Sequence, residues 1–193
     1  WRDDYTRIVP GRAIAYWESG GRYSTDMPFE NVHGNGGLLT TVGDLLRWSG
    51  NFEKRTVGGA DFVRAMQVPG RLANGNSHGY AFGLSVSSYR GLPEIRHSGS
   101  TASYRAFLSR FPDQHVAVAV LCNAGNSAPR QATHAVADLL LGDSIKPGRE
   151  RAPVELSEAE LNSLTGTYRN MEKGDVARIE RDGRALRLGD GTA

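Results

Sequence analysis

Residues 94–123 read EIRHSGSTASYRAFLSRFPDQHVAVAVLCN, and the fold follows from them. Tyr104 to Phe111 and His115 to Cys122 are two strand-like runs around Pro112-Asp113-Gln114, the pattern of an antiparallel hairpin. Val116 to Leu121 is apolar at every position, which predicts a central strand covered on both faces. Ahead of the hairpin, Glu94-Ile95-Arg96-His97 reads as a short strand ending in Ser98-Gly99. From Tyr80 the period is two: Phe82, Leu84 and Val86 alternate with Gly83, Ser85 and Ser87, as on a strand with one buried face. After the hairpin, Asn123 to Asn126 is a turn. Ala128 to Leu141 is a helix whose apolar stripe is Ala132, Ala135, Val136, Leu139 and Leu140. Helices beside a hairpin-connected sheet predict an α+β domain, an antiparallel sheet flanked by helices.

Working outward, residues 1–35 are irregular, with one short strand expected around Ala13 to Trp17. Gly34-Asn35-Gly36-Gly37 is a turn. Thr41-Val42-Gly43-Asp44 has the form of a capping box. The helix it opens runs to about Phe52, with Val42, Leu45, Leu46, Ser49 and Phe52 on one face. A second short helix is expected from Gly59 to Val68, stopped by Pro69-Gly70, and Asn74-Gly75-Asn76 is a loop. On the C-terminal side, residues 142–152 read as a linker. A second unit begins near Pro153, with a helix signal at Ser157 to Glu160 and a β segment opening at Gly166-Thr167-Tyr168. Asp182-Gly183 is the expected turn between Val176–Arg181 and Arg184–Leu188. The expected organisation is therefore 1–141, a linker at 142–152, and the start of a small β-rich unit at 153–193. Trp1 and the stop just after a hairpin suggest a piece cut from a longer chain.

Composition removes several function classes. The net charge is +2, and the basic residues, 20 Arg and 3 Lys, are scattered. Nothing tracks a phosphate backbone or an anionic membrane. The single Cys122 excludes an intramolecular disulfide and reads as a small buried hydrophobe. The longest apolar run, Val116 to Cys122, is far too short to span a bilayer. The histidines are His33, His78, His97, His115 and His134; none has metal-ligand spacing, and His134 reads as a boundary residue on its helix.

Nucleophile motifs are mostly absent. No Gly-x-Ser-x-Gly occurs. Three residues before Lys54, Lys146 and Lys173 stand Asn51, Asp143 and Asn170, so no Ser-x-x-Lys occurs either. Ser49-Gly50-Asn51 and Tyr168-Arg169-Asn170 have the form of a polar assisting motif, but one ends an amphipathic helix and the other lies in the appended unit. What remains is Arg96-His97-Ser98-Gly99-Ser100, which alone reads more readily as a strand end before a turn than as a site.

Four pieces in one order change that weighting: Gly36-Gly37-Leu38-Leu39-Thr40-Thr41-Val42-Gly43-Asp44-Leu45, then Tyr80-Ala81-Phe82-Gly83-Leu84, then His97-Ser98-Gly99, then Phe111-Pro112-Asp113 through Val118 to Asn123. Pro10-Gly11-Arg12-Ala13 with Tyr16 also fits. Over residues 1–141 the chain resembles the C-terminal half of serine β-lactamase-like, penicillin-binding-protein-like hydrolases: class C β-lactamases, D-aminopeptidases, DD-carboxypeptidases and related esterases. The tail from Pro153 resembles the small β-rich, lipocalin-like appendage of some members.

The resemblance implies a cleft built from a Ser-x-x-Lys, a Tyr-x-Asn and a strand of the His97-Ser98-Gly99 kind, of which only the strand is present. His97 stands where Lys is common and would supply hydrogen bonding, and positive charge when protonated. Ser98 would offer a hydroxyl to substrate. Gly99 would let a substrate backbone lie against the strand. The backbone N–H of Ser100 would serve the oxyanion hole. Histidine in place of lysine shifts the expectation from β-lactams toward peptides or esters. The implied chemistry is acyl transfer through an acyl-enzyme, with neither metal nor organic cofactor, in a periplasmic or secreted bacterial protein. The implied partners are a small-molecule or peptide substrate, the missing N-terminal half of the domain, and a second copy through exposed apolar surface. The alternative is a non-catalytic peptide- or peptidoglycan-binding module of the same fold.

Overall fold

The computed structural model of the chain describes residues 4–28, 34, 36–147, 154–170 and 176–189. His33, Asn35 and Lys173 lie outside the described residues, as does the linker beyond Pro147. The fold divides into two units: Trp1–Gly70 with Gly79–Pro147, and Arg71–His78 with Gly148–Ala193.

The first unit opens with a hairpin, β1 (Tyr16–Ser19) and β2 (Arg22–Thr25), where a single strand is expected from the sequence. The turn residues Gly20 and Gly21 both have positive φ (59° and 77°), the geometry a two-residue hairpin turn requires. The hairpin is tied to the chain after residue 122. Tyr16 N–H donates to Asn123 O, Gly125 N–H to Tyr16 O, and Asn123 Nδ2 to Ile14 O.

Helix α1 (Val42–Lys54) starts where the capping signal places it. Thr41 Oγ1 accepts from Asp44 N–H at 3.1 Å and donates to the Asp44 carboxylate at 2.9 Å. Its buried residues are Ser49, Asn51 and Phe52, whereas Val42 and Leu46 of the expected apolar face are exposed. Helix α2 (Gly59–Ala65) is shorter than expected.

Four strands follow: β3 (Ser85–Tyr89), β4 (Leu92–Thr101), β5 (Tyr104–Phe111) and β6 (Val116–Cys122), antiparallel in that order. Helix α3 (Pro129–Leu141) completes the unit. This is the expected α+β class, an antiparallel sheet with helices on both faces. Alternation along the strands sorts the faces. Glu94, Ser109, Phe111 and Val118 meet α3, with Phe111, Val118, Ala137 and Leu141 as one core cluster. Ile95 and Arg110 meet α1 and α2 around Phe52, Val63 and Leu84. Fully burying side chains of this size contributes about 1.5–3 kcal/mol each, and Phe107 and Phe111 are the largest buried apolar ones.

Several expectations are corrected. Residues 80–84 are turns rather than strand: Gly79 and Gly83 have φ of 72° and 70°, a left-handed geometry that breaks the ladder, so β3 begins at Ser85. Strand β4 does not end at Ser98-Gly99 but continues to Thr101, and the whole motif is paired with β5. β6 touches helices on both faces, as its composition predicts, yet it is the terminal strand of the described sheet rather than a central one. On α3 the buried residues are Thr133, Ala137 and Leu141, while Val136, Leu139 and Leu140 of the expected inward stripe are exposed. Cys122 is half-buried.

In the second unit, α4 (Glu158–Ser163) carries a full capping box between Ser157 and Glu160. Strands β7 (Gly166–Arg169), β8 (Val176–Asp182) and β9 (Ala185–Leu188) form an antiparallel sheet. The β8–β9 turn is Gly183-Arg184, one residue later than the sequence suggests, because Asp182 still pairs with Ala185. Arg181 ties β8 to α4, donating to Asn162 Oδ1 and Glu158 Oε1.

Candidate functional site

The four expected site residues, His97, Ser98, Gly99 and Ser100, sit consecutively on β4 and are all exposed. Strand β3 pairs with β4 only as far as Arg96, opposite Ser85. Among the described strands, residues 97–100 therefore have a neighbour on the β5 side alone. That leaves a four-residue sheet edge able to receive an extended chain by main-chain hydrogen bonding. Gly99 suits such an approach; toward β5 it has no spare room, since an added Cβ would come within 3.2 Å of Ala106 Cβ.

His97 and Ser98 alternate across this edge. His97 stands on the face shared with Ile95, whereas Ser98 lies opposite Phe107, on the α3 face. The His97 imidazole has a partner that sequence reasoning missed: Tyr80 Oη lies 2.9 Å from its Nε2, with the rings 5.9 Å apart. Tyr80 is brought there by the double reversal at Gly79 and Gly83. Its carbonyl accepts from Gly70 N–H, and it forms a bridge to Ser85. In the sequence only Gly79 and Gly83, on either side of Tyr80, signal this reversal, and the alternating pattern from Tyr80 masks it.

Behind the edge lies a buried polar cluster. Glu94, 1% exposed, accepts from Ser109 Oγ at 2.7 Å and bonds His134 Nε2 at 2.7 Å; Arg96 Nε lies 3.4 Å from its other oxygen. His134, half-buried as a boundary residue is expected to be, stacks on Tyr89 at 3.9 Å and meets the Phe107 edge, which ties it into the cluster. Asp138, on the same helix, accepts from Tyr89 Oη and pairs with Arg90 at 2.8 Å. Burial, together with the bond to Asp138, raises the Tyr89 phenol above its ordinary range. The cluster links β3, β4, β5 and α3 directly beneath the strand that carries His97.

The far end of β4 is held as firmly. Ser103, fully buried, donates through Oγ to Asp26 Oδ2 at 2.6 Å, and Arg105 donates to Ala102 O, fixing a turn in which Ala102 has φ 43°. Among the described residues no group of three or more His, Cys, Asp or Glu side chains is placed to hold a metal ion. No helix among them is long and apolar enough to cross a membrane.

Residues 2–143 match the family model described as Beta-lactamase, and the chain belongs to the beta-lactamase family of serine hydrolases. A D-aminopeptidase of Cereibacter sphaeroides is 27% identical over 155 residues, covering 80% of this chain and 28% of that protein. A second D-aminopeptidase, from another strain of the same species, is 26% identical over the same length. The octameric penicillin-binding protein homologue from Pyrococcus abyssi is 25% identical with a TM-score of 0.60, over 91% of this chain and 40% of its own. The chain thus spans between about a quarter and two fifths of the length of these relatives.

Proposed function

We propose that this chain forms the strand-edge wall of a serine acyl-hydrolase site that acts on peptides or esters, with D-amino-acid peptides as the favoured class. The observation that carries the reading is the open β4 edge at residues 97–100, with His97 held by Tyr80 at its entrance. An extended substrate added to that edge would lie between His97 on one face and Ser98 on the other. Gly99 would permit close approach, and the Ser100 N–H is the donor assigned to the developing oxyanion. His97 supplies a hydrogen bond that Tyr80 orients. The attacking serine and its lysine are absent from these 193 residues, so the reading places them on another part of the domain, which completes the cleft and is this chain's principal partner. The named activity of the Cereibacter relatives supports the D-aminopeptide preference. Self-association through exposed apolar surface, and a periplasmic or secreted location, belong to the same reading.

The test is turnover of D-alanine p-nitroanilide and p-nitrophenyl acetate by the 193-residue chain and by the full product of its gene. The chain alone is expected to be inert. The full product is expected to turn over, with His97→Ala lowering kcat/KM by roughly 10²-fold, in line with the loss of one stabilising hydrogen bond at the reacting centre. Turnover by the chain alone would overturn the placement of the nucleophile. An inert full product that still binds D-alanyl peptides would establish the non-catalytic binding module instead, for which the open edge is sufficient.

A further inference from the structure

The open edge of β4 is short because β3 lies on the same edge. Ser85 faces Arg96, and from there to the Tyr89–Leu92 pair every rung on that side of β4 is taken. A peptide added opposite residues 97–100 therefore runs in line with β3 and ends against its first residue. The register leaves about four rungs, or about 13 Å at the usual strand rise.

The β3 end of this edge is walled. Tyr80 bridges Ser85 from the side of β3 that faces away from β4. Val86 N–H donates to Gly79 O at 2.7 Å, and Ala81 N–H donates to Leu84 O at 2.7 Å, closing a tight turn over residues 81–84. Gly83, with φ 70°, makes that turn possible. Leu84, at its end, is buried with Phe52 and Val63. A turn anchored in the core does not swing aside for a longer peptide, as a loop with few buried contacts can. The Tyr80 side chain closes the corner, its hydroxyl 2.9 Å from His97 Nε2.

The opposite end is also closed, and it is nearer to the reacting centre. β4 reverses at Ala102, with φ 43°, and the fully buried Ser103 is tied to Asp26 through both its N–H and its hydroxyl. The Ser100 N–H, as the oxyanion donor, divides the edge into unequal arms. The residue that carries the scissile carbonyl takes the short arm, toward the reversal. About three residues have rungs on the long arm, opposite Gly99, Ser98 and His97.

We propose that β3 and the turn before it form an end stop that sets the substrate class: short peptides cleaved after their first residue, with up to about three residues beyond the scissile bond. This rests on the reading of the β4 edge as a substrate site. Main-chain hydrogen bonds are the source of affinity at a sheet edge. Each residue up to the stop therefore adds to binding, and residues past it add nothing.

A series of D-alanyl peptides carrying from one to six glycines tests the stop in the full product of the gene. With each glycine through the third, kcat/KM is expected to rise by about threefold or more, as a further hydrogen bond forms. From the fourth glycine it should level off. A steady rise to the sixth, or no dependence on length, would overturn the proposal. The same series read as binding, by NMR titration of the His97, Ser98 and Gly99 amides, should level off at the same length. Binding with that limit but without cleavage would remove the hydrolase reading and leave the stop standing; no binding at any length would remove both. Ser85→Pro takes away a main-chain donor and crowds the first rung. It should move the levelling-off to the fourth glycine or beyond, with the urea midpoint showing that the variant is folded. A folded variant with an unchanged limit would place the stop elsewhere and overturn the proposal.

Discussion

Tyr80 and Glu94 act on the same strand from opposite faces, and their substitution should have opposite signatures. Tyr80 is 41% exposed, and its hydroxyl meets an exposed imidazole. Tyr80→Phe should therefore change stability by less than about 0.5 kcal/mol, while the His97 ring signals move in NMR; unmoved signals would show that the two rings do not meet in solution. Glu94→Ala strips Ser109, His134 and Arg96 of a shared acceptor in the core. Breaking one side of such a buried set costs about 3–5 kcal/mol, to be read from the urea midpoint. A loss below about 1 kcal/mol would mean that the cluster is not formed. At this scale the sequence shows His97-Ser98-Gly99 through its order among the other pieces. It does not show Tyr80 as the partner, because the approach depends on two left-handed glycines rather than on spacing. His134 was hidden in the same way: its role requires a carboxylate forty residues earlier on a neighbouring strand.

Among the elements, α1 and α3 show which signals survive from sequence to structure. The start of α1 is legible because capping is local: Thr41 and Asp44 need only each other. Bonds first from the Thr41 side chain and then from Arg47 hold the Asp44 carboxyl below its ordinary range. A depressed carboxylate contributes stability that is present above the unfolded-state pKa and is lost as the pH falls through the folded-state value. Thr41→Ala should cost about 1 kcal/mol of helix stability and move the Asp44 titration toward higher pH, followed by its side-chain carbonyl shift in NMR. An unchanged Asp44 titration would dismiss the cap. The inward face of α3 is not legible, because the helix carries two candidate stripes. The more apolar one, with Val136, Leu139 and Leu140, faces out. The inner one contains His134 and Asp138, which are acceptable there because Glu94, Tyr89 and Arg90 satisfy them. Composition favours the wrong face whenever polar core residues have partners that only the tertiary fold supplies.

The same outward stripe decides how the whole first unit should behave in solution. Leu139 is 85% exposed, Leu140 60% and Val136 42%, on consecutive turns of one helix. A contiguous apolar strip of this kind on a folded surface marks an interface. β6 adds to it: an edge strand that is apolar along its length and has no charged residue or proline to discourage pairing is prone to add another strand. The chain is therefore expected to self-associate, with an average mass in light scattering that rises with concentration. Placing charge on the strip, with Leu139→Glu and Val136→Lys one turn apart, should lower that mass and leave the thermal midpoint nearly unchanged, since neither side chain packs into the core. If the parent chain is a monomer at every concentration, the strip is not an interface. If the charged variant associates as strongly as the parent, the contact lies elsewhere, and the β6 edge becomes the surface to modify.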